Sequence, residues 1–294
     1  MRLLAFGDTH VKPTGESPDY DRLGLPAGTD AVVTVGDVVH RTGREDLRAG
    51  RDLLGELADL GVPVYTVPGN HDPAGEHGAM VEGVSGASVL HDEVVSVGDV
   101  DLLGWGCEEF DAGPEVTCRD YSALDPRTSS GDRRHAADRN ARRLETATYE
   151  FVTTDATERD VADKLGITRD ERPTLAEQLA ELRETYDRLD ALFEEASSPT
   201  VVLSHVPPYG TELDRHHSLG EREADLDDLH VGSLALKLAL RVHRPAVGLS
   251  GHSHNPVYET LQEEGETVHL LNLGYQGVAT VDYDEGFSYA RHGE

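Results

Sequence analysis

Residues 64–73, VYTVPGNHDP, lead from an apolar run into a turn made of proline, glycine, asparagine, histidine and aspartate. An apolar run that closes in Pro-Gly is an ordinary boundary between a strand and a loop. Asparagine and aspartate also favour turns because their side chains bond the local backbone, so Asn70, His71 and Asp72 are compatible with a turn alone. The same side chains could bind a metal ion or a phosphate. By itself the stretch leaves the turn and the site equally open.

Short apolar runs alternate with helical patterns on both sides of this stretch. The runs DAVVTVGD (30–37) and PTVVLSHVPP (199–208) predict buried strands, and EDLRAGRDLLGELADLG (45–61) predicts an amphipathic helix. Strands that alternate with helices are typical of an α/β sheet, which binds its ligands at the carboxyl ends of its strands. We therefore expect the polar side chains that follow the strands to lie at such an edge.

Residues 108–199 break this pattern, and we interpret them as a helical insertion or cap on a single domain that spans residues 1–294. The segment TLAEQLAELRETYDRLDALFEEA (174–196) predicts an amphipathic helix capped by Thr174, with Glu177 three residues on. The basic residues before it either pair with acids on a helix surface or contact a substrate phosphate from the cap. These residues are Arg133, Arg134, His135, Arg139, Arg142 and Arg143.

Five predicted strands are each followed by side chains that can bind a metal. In chain order these are Asp8 and His10, then Asp37 and His40, then Asn70, His71 and Asp72, then His205, and finally His252 and His254. Alternate residues of an extended chain project to the same side, so the outer residues of D-x-H and of H-x-H can face one ion. Imidazole, carboxylate and amide oxygen without thiolate suit Mn, Fe, Zn, Co or Ni. One histidine after a strand is more often a turn residue, but five strand ends in order indicate a site.

The blocks FGDTH (6–10), VGDVVH (35–40), PGNHD (68–72), LSHVPP (203–208) and SGHSH (250–254) resemble the signature of the calcineurin-like metallophosphoesterase superfamily. The resemblance implies an α/β fold, a four-layer αββα sandwich, with two divalent metal ions in a cleft. Mn²⁺ is the preferred ion, with Fe, Zn, Co or Ni as alternatives. By position, the resemblance assigns Asp8, His10 and His254 to one ion, Asn70, His205 and His252 to the other, and Asp37 as the bridge between them.

The function implied is hydrolysis of phosphate mono- or diesters, small molecules or nucleotides, by a metal-bridging hydroxide. Asp37 would offset repulsion between the ions, and the NH2 group of Asn70 would face the phosphate. His71 would stabilise the phosphoryl oxygens or protonate the leaving alkoxide. Asp72 would orient an imidazole or cap the turn. Further candidate substrate contacts are His216, His217, Arg133 and Arg134.

His40 departs from the pattern of many family members, which carry an acidic residue there as the partner of the histidine in GNH. A histidine at this place is similar to the double-strand-break repair nuclease branch, so a nuclease acting on DNA or RNA stays an alternative. Residues 250–274, SGHSHNPVYETLQEEGETVHLLNLG, instead resemble the compact archaeal and bacterial phosphoesterases. An inactive metal-binding scaffold is a third hypothesis, although every expected ligand position is filled.

The chain carries 56 acidic residues against 26 Lys and Arg, for a formal net charge of −30. Its only lysines are Lys12, Lys164 and Lys237, and its acidic residues are spread along the sequence. This composition fits a protein that is soluble in concentrated salt, and we expect a haloarchaeal, cytoplasmic setting. The first apolar run is too short for a secretory signal, and no apolar stretch is long enough for a membrane span. In dilute salt such a charge would repel nucleic acid and anionic membranes.

We predict a higher melting temperature in molar KCl than in dilute buffer. At molar ionic strength the Debye length falls to about 3 Å, so salt screens the repulsion among the acidic side chains. Thermal melts followed by circular dichroism in the two solutions measure this difference. A higher melting temperature in dilute buffer would contradict the halophilic interpretation.

Overall fold

The structure is a computed structural model that describes residues 1–13, 24–73, 76–107, 113–129, 131–197, 199–215, 229–284 and 286–292. The chain divides into two compact units. The first comprises Met1–Ala112, Leu192–Pro207 and Arg244–Glu294, and the second comprises Gly113–Ala191 and Pro208–His243. The interpretation as a single domain with an insertion at about residues 108–199 stays a prediction.

The first unit is built on two six-stranded sheets. The strands are β1 (Arg2–Phe6), β2 (Ala31–Thr34), β3 (Val64–Thr66), β4 (Ala87–Val89), β5 (Glu93–Val97), β6 (Val100–Trp105), β7 (Thr200–Ser204), β8 (Val247–Ser250), β9 (Tyr258–Glu263), β10 (Glu266–Asn272), β11 (Val278–Tyr283) and β12 (Phe287–His292). The first sheet has the order β12-β11-β1-β2-β3-β4, and the second has the order β5-β6-β7-β8-β10-β9. The helix α1 (Arg44–Ala58) belongs to the same unit.

Alternation along the strands divides the apolar side chains of the first unit between two buried clusters. In β1, Leu3 packs in the same cluster as Leu203 of β7, so this cluster fills the space between the two sheets. The next residue, Leu4, packs with Leu54 of α1 on the other face of the first sheet. Successive strand residues point to opposite faces, which gives the first sheet one face for each cluster. The predicted α/β fold class, with two sheets flanked by helices, is confirmed.

The second unit is helical in its described residues. Its helices are α2 (Arg133–Thr153), α3 (Glu158–Leu165), α4 (Arg172–Glu195), whose last turn belongs to the first unit, and α5 (Leu234–His243). The prediction that Thr174 caps α4 is wrong, because the helix begins two residues earlier at Arg172. Pro173 lies inside the first turn, where proline is tolerated because the first N–H groups of a helix have no intrahelical partner. No helix among the described residues has the length and apolar character needed to cross a membrane.

The Arg-dense stretch forms α2, and its basic side chains use several kinds of partner. Arg134 pairs with Glu212 at 2.6 Å. Arg143 donates instead to the backbone carbonyl oxygens of Ala123 and Leu165, at 3.2 and 2.9 Å. The ion-pairing interpretation therefore applies to Arg134, whereas Arg143 ties neighbouring segments of the second unit together.

We predict that Leu203→Ala lowers the free energy of unfolding by about 2 to 5 kcal/mol, because it opens a cavity between the two sheets. Leu203 is fully buried, whereas Leu60 is 36% exposed. Leu60→Ala is therefore the matched control, with an expected change within about 0.5 kcal/mol. Denaturant titrations in molar KCl compare the two variants, and equal losses would contradict the packing described for the intersheet cluster.

Candidate functional site

The predicted ligands follow strands that run in the same direction. β1, β2 and β3 are parallel neighbours, so the residues after them meet at one edge of the first sheet. β7 and β8 are parallel neighbours in the second sheet, and His205 and His252 follow them. A hydrogen bond of 2.8 Å joins the two edges, in which the Nδ1–H of His205 donates to the carbonyl oxygen of Val35 after β2.

Four predicted ligands form a first group, which consists of Asp8, His10, Asp37 and His254. One nitrogen or oxygen from each of them lies within 4.8 Å of the others. His10 Nε2 is 3.3 Å from His254 Nε2 and 3.5 Å from Asp37 Oδ2. Nitrogen and oxygen atoms that carry lone pairs thus converge on one small volume.

A second group gathers around the side chain of Asn70. Asn70 Oδ1 is 2.9 Å from His205 Nε2 and 3.1 Å from His252 Nδ1. His205 Nε2 is also 3.5 Å from Asp37 Oδ2, so Asp37 contacts both groups. The groups have the same members as the two ligand sets implied by the resemblance, and the binding of ions by them stays a prediction.

The residues of both groups fit divalent cations, because several of their nitrogen and oxygen lone pairs accept no hydrogen bond. The Nδ1–H of His205 already donates to Val35, so the neutral ring directs the lone pair of Nε2 toward Asn70 Oδ1. A ligand histidine in proteins typically donates its other N–H in this way. Asp8 Oδ2 and His10 Nδ1 are buried without a hydrogen-bond partner. A buried polar atom left unsatisfied is costly, and a cation beside Asp8 would remove that cost.

Burial sets the protonation of these groups in the protein alone. Burial raises the pKa of Asp37 to about 6, and the nearby His71, through its electrostatic effect and its backbone N–H, opposes this shift. Burial, and then the charge of Asp37, raise the pKa of Asp72 to about 7 and that of Asp8 well above its usual range. Burial lowers the pKa of His10 and of His205 to about 3. The imidazoles of His10 and His205 are therefore neutral near pH 7, as metal binding requires.

The backbone at the ligands is left-handed, and this contradicts the extended geometry expected for D-x-H and H-x-H. The φ angles are +41° at Asp8 and +45° at His10, and +67° at His252 and +56° at His254. Asp37 also has a positive φ of +52°. Aspartate and histidine are among the non-glycine residues that tolerate this region best. The ligand side chains converge because the backbone turns at each of them, and not because they alternate along a strand.

Two glycines allow the ligand loops to approach each other. A Cβ atom on Gly69 would lie 2.2 Å from the backbone nitrogen and from Oδ1 of Asp37. A Cβ atom on Gly36 would lie 2.4 Å from His205 Nδ1, and Gly36 has a φ of +95°. The glycines of GD and GN are thus required by close packing around Asp37 and His205.

Two hydrogen bonds orient His71, one from its imidazole and one from its backbone. Its Nδ1–H donates to the carbonyl oxygen of His40 at 3.0 Å, and its backbone N–H donates to Asp37 Oδ1 at 2.8 Å. The rings of His40 and His71 are stacked with centroids 6.0 Å apart. A backbone carbonyl, that of His40, is therefore a hydrogen-bond partner of the His71 imidazole.

Asp72 holds the turn that presents Asn70 and His71. Its carboxylate accepts from the backbone N–H of Gly69 at 2.8 Å, of Val39 at 3.1 Å and of Val38 at 3.4 Å. The side chain thereby joins the loop after β3 to the loop after β2. This arrangement agrees with a supporting role in which Asp72 caps the turn.

Sequence reasoning missed two residues beside the groups. Asn272 donates from Nδ2 to the carbonyl oxygen of Gly251 at 2.7 Å and to Ser253 Oγ at 3.0 Å, so it holds the loop of His252 and His254. The letters NLG at residues 272–274, which end the stretch compared above with the compact phosphoesterases, were the available signal for Asn272. Tyr275 lies beside His10 and His254, with ring centroids 5.5 and 5.1 Å away. No pattern in the sequence indicates that position.

Four further candidate substrate contacts are not members of the two groups. His216 and His217 fall outside the described residues. Arg133 and Arg134 begin α2 in the second unit. Contact of these four residues with substrate stays a prediction.

Comparison with known proteins gives one family match. The family described as Calcineurin-like phosphoesterase matches residues 1–256. No curated protein matches the sequence. Among solved structures, a phosphopantetheinyl hydrolase from Mycobacterium tuberculosis is 19% identical with a TM-score of 0.44, over 93% of this chain and 89% of that one. A dimetal phosphatase from Danio rerio is 14% identical with a TM-score of 0.47, over 99% and 95%.

We predict that the affinity for Mn²⁺ falls as the pH drops from 8 through about 6, because Asp37 must lose its proton to bind a cation and its pKa is about 6. The imidazoles of His10 and His205, with a pKa of about 3, stay neutral over this range. Isothermal titration calorimetry at several pH values measures the change. An affinity that does not vary with pH would contradict a role for a buried carboxyl group in metal binding.

Proposed function

Because the chain belongs to the calcineurin-like phosphoesterase family, we propose that it uses two divalent ions, Mn²⁺ by preference, to hydrolyse small-molecule phosphate monoesters or diesters. The family makes the protein a metal-dependent phosphoester hydrolase. The observation that carries the proposal is the position of Asp37, whose Oδ2 is 3.5 Å from His10 in one group and 3.5 Å from His205 in the other. One carboxylate can then serve both cations.

Seven side chains would hold the ions: Asp8, His10 and His254 the first, Asn70, His205 and His252 the second, and Asp37 both. Two bound cations supply Lewis-acid charge, which activates water and neutralises the phosphoryl oxygens as negative charge develops. The remaining requirement on the protein is to keep these ligands aligned. The hydrogen bonds of Asp72, Asn272 and the His205 ring support that alignment.

His71 is the proposed acid of the reaction. With its Nδ1–H directed to the carbonyl oxygen of His40, a protonated ring can donate its Nε2–H to a phosphoryl oxygen or to the leaving alkoxide. After proton transfer the ring is the neutral Nδ1–H tautomer, which the same carbonyl continues to stabilise. Its backbone N–H on Asp37 keeps the ring close to the proposed bridge.

A nuclease remains the alternative suggested by His40, and a substrate panel separates it from the leading proposal. The His40 backbone oxygen, not its imidazole, accepts from His71, and any residue at this position could supply that oxygen. The panel consists of phosphomonoesters, diesters, nucleotides and single- and double-stranded DNA, assayed in molar KCl with each metal. Turnover of DNA alone would favour the nuclease.

The halophilic and cytoplasmic setting is likewise a proposal, supported by the composition.

We predict that Asp37→Asn lowers the Mn²⁺-dependent hydrolysis of bis-p-nitrophenyl phosphate by more than about 100-fold, because it removes the charge shared by both ions. Asp101→Asn is the matched control, since Asp101 is also a buried aspartate of the first unit. Asp101 accepts from Ser96 Oγ at the amino end of β6 and contacts none of the predicted ligands. Wild-type activity in Asp37→Asn, with both variants folded by circular dichroism, would refute the mechanism.

A further inference from the structure

Tyr275 places an exposed aromatic ring next to two of the proposed metal ligands. Its ring stacks on the His10 imidazole at 5.5 Å with an interplanar angle of 30° and is tilted by 59° against the His254 imidazole at 5.1 Å. Nevertheless Tyr275 is 45% exposed. The ring thus contacts the first ligand group and leaves part of its surface open to solvent.

This exposure is not explained by packing. Among the described residues, the other large apolar side chains of comparable exposure are Leu60 and Tyr258. Tyr258 stacks on Phe287 at 5.6 Å, and its hydroxyl group is 2.8 Å from His269 Nδ1. Tyr258 therefore belongs to an aromatic cluster on the sheet, whereas the ring contacts of Tyr275 in the described residues are with the two ligand histidines.

The backbone that carries Tyr275 is attached to the strand end that carries Asp8. The backbone N–H of Gln276 donates to the carbonyl oxygen of Asp8 at 3.1 Å. The side-chain amide of Gln276 donates to the Thr9 carbonyl oxygen and to the Tyr275 hydroxyl group, each at 3.4 Å. A side chain held in this way loses little conformational freedom when a ligand binds to it.

We propose that Tyr275 is a substrate-binding residue that stacks on a planar aromatic group of the phosphate ester. The inference rests on the proposed function, because it requires the phosphoryl group to be held at the two ligand groups. An ester substituent that extends from the phosphorus toward His10 and His254 then meets the open surface of the Tyr275 ring. At such distances the interaction energy of two aromatic rings is more favourable than that of one ring with an alkyl group in the same place. The preferred substrates are therefore aryl or nucleobase-containing phosphate esters.

Two non-hydrolysable probes test this preference by binding alone. Phenylphosphonate and methylphosphonate share the phosphoryl group and differ in the aromatic ring. Isothermal titration calorimetry with Mn²⁺-loaded protein in molar KCl should give the wild type about three- to tenfold tighter binding of phenylphosphonate. Tyr275→Ala should bring the ratio of the two affinities close to one, and Tyr275→Phe should retain the wild-type ratio. Tyr258→Ala is the matched control, and it should keep the wild-type ratio.

Each outcome separates the inference from the proposed function. A wild-type affinity ratio in Tyr275→Ala would overturn the stacking role. Equal weakening of both probes together with a lower affinity for Mn²⁺ would also overturn it, because Tyr275 would then act only by packing the ligand histidines. If the loaded wild type binds neither phosphonate, the proposed function itself fails. A KM for bis-p-nitrophenyl phosphate that rises in Tyr275→Ala with little change in kcat would support the inference.

Discussion

The burial of three aspartates at adjoining strand ends is the constraint on which the site depends. Asp8, Asp37 and Asp72 are nearly inaccessible to solvent. The imidazole of His205, which burial keeps neutral, lies 3.8 Å from Asp8 and 3.5 Å from Asp37. Each carboxylate accepts backbone N–H groups, from His252 for Asp8, from His71 for Asp37 and from three residues for Asp72. Because the Asp8 bond crosses from β1 to the loop after β8, the same charges that call for a cation also join the two sheets. Burying like charges together is unfavourable unless a positive charge is added. Metal binding and the stability of this sheet edge are therefore coupled.

The backbone at the ligands is held in place by the surrounding loops. Left-handed conformations at five predicted ligands each cost of order 1 to 3 kcal/mol, and such residues persist where the surrounding structure holds them in place. Here the holding contacts are hydrogen bonds between loops, such as His10 N–H to the Asp37 carbonyl oxygen at 2.9 Å and Gly251 N–H to that of His205 at 3.0 Å. The strain lies in the loops, while the intersheet cluster supplies the favourable burial.

Predictability from sequence followed the strength of the apolar signal. β1, β2, β3, β7 and β8 are central strands with nearly continuous burial, and their apolar runs identified them. β9 and β12 lie at sheet edges and have mixed exposure, so their sequences carry no comparable run. The start of α4 was misplaced because the cap was assigned to Thr174, although Pro173 fits the first turn of the helix. The D-x-H and H-x-H motifs were recognised for their chemistry but were assigned the wrong backbone, since residue type does not reveal where a chain turns left-handed.

By itself the sequence determined the chemical types of the ligands, their order along the chain and the family, because these depend on residue identity after predictable strands. Tertiary structure alone decided which atoms face each other. The partner of His71 is a backbone carbonyl, and every residue has one, so no sequence motif can mark it. The position of Tyr275 beside His10 depends on the antiparallel pairing of β1 with β11, which brings together the two ends of the described chain. Contacts of that kind arise from strand pairing over long sequence separations, and local residue patterns do not contain them.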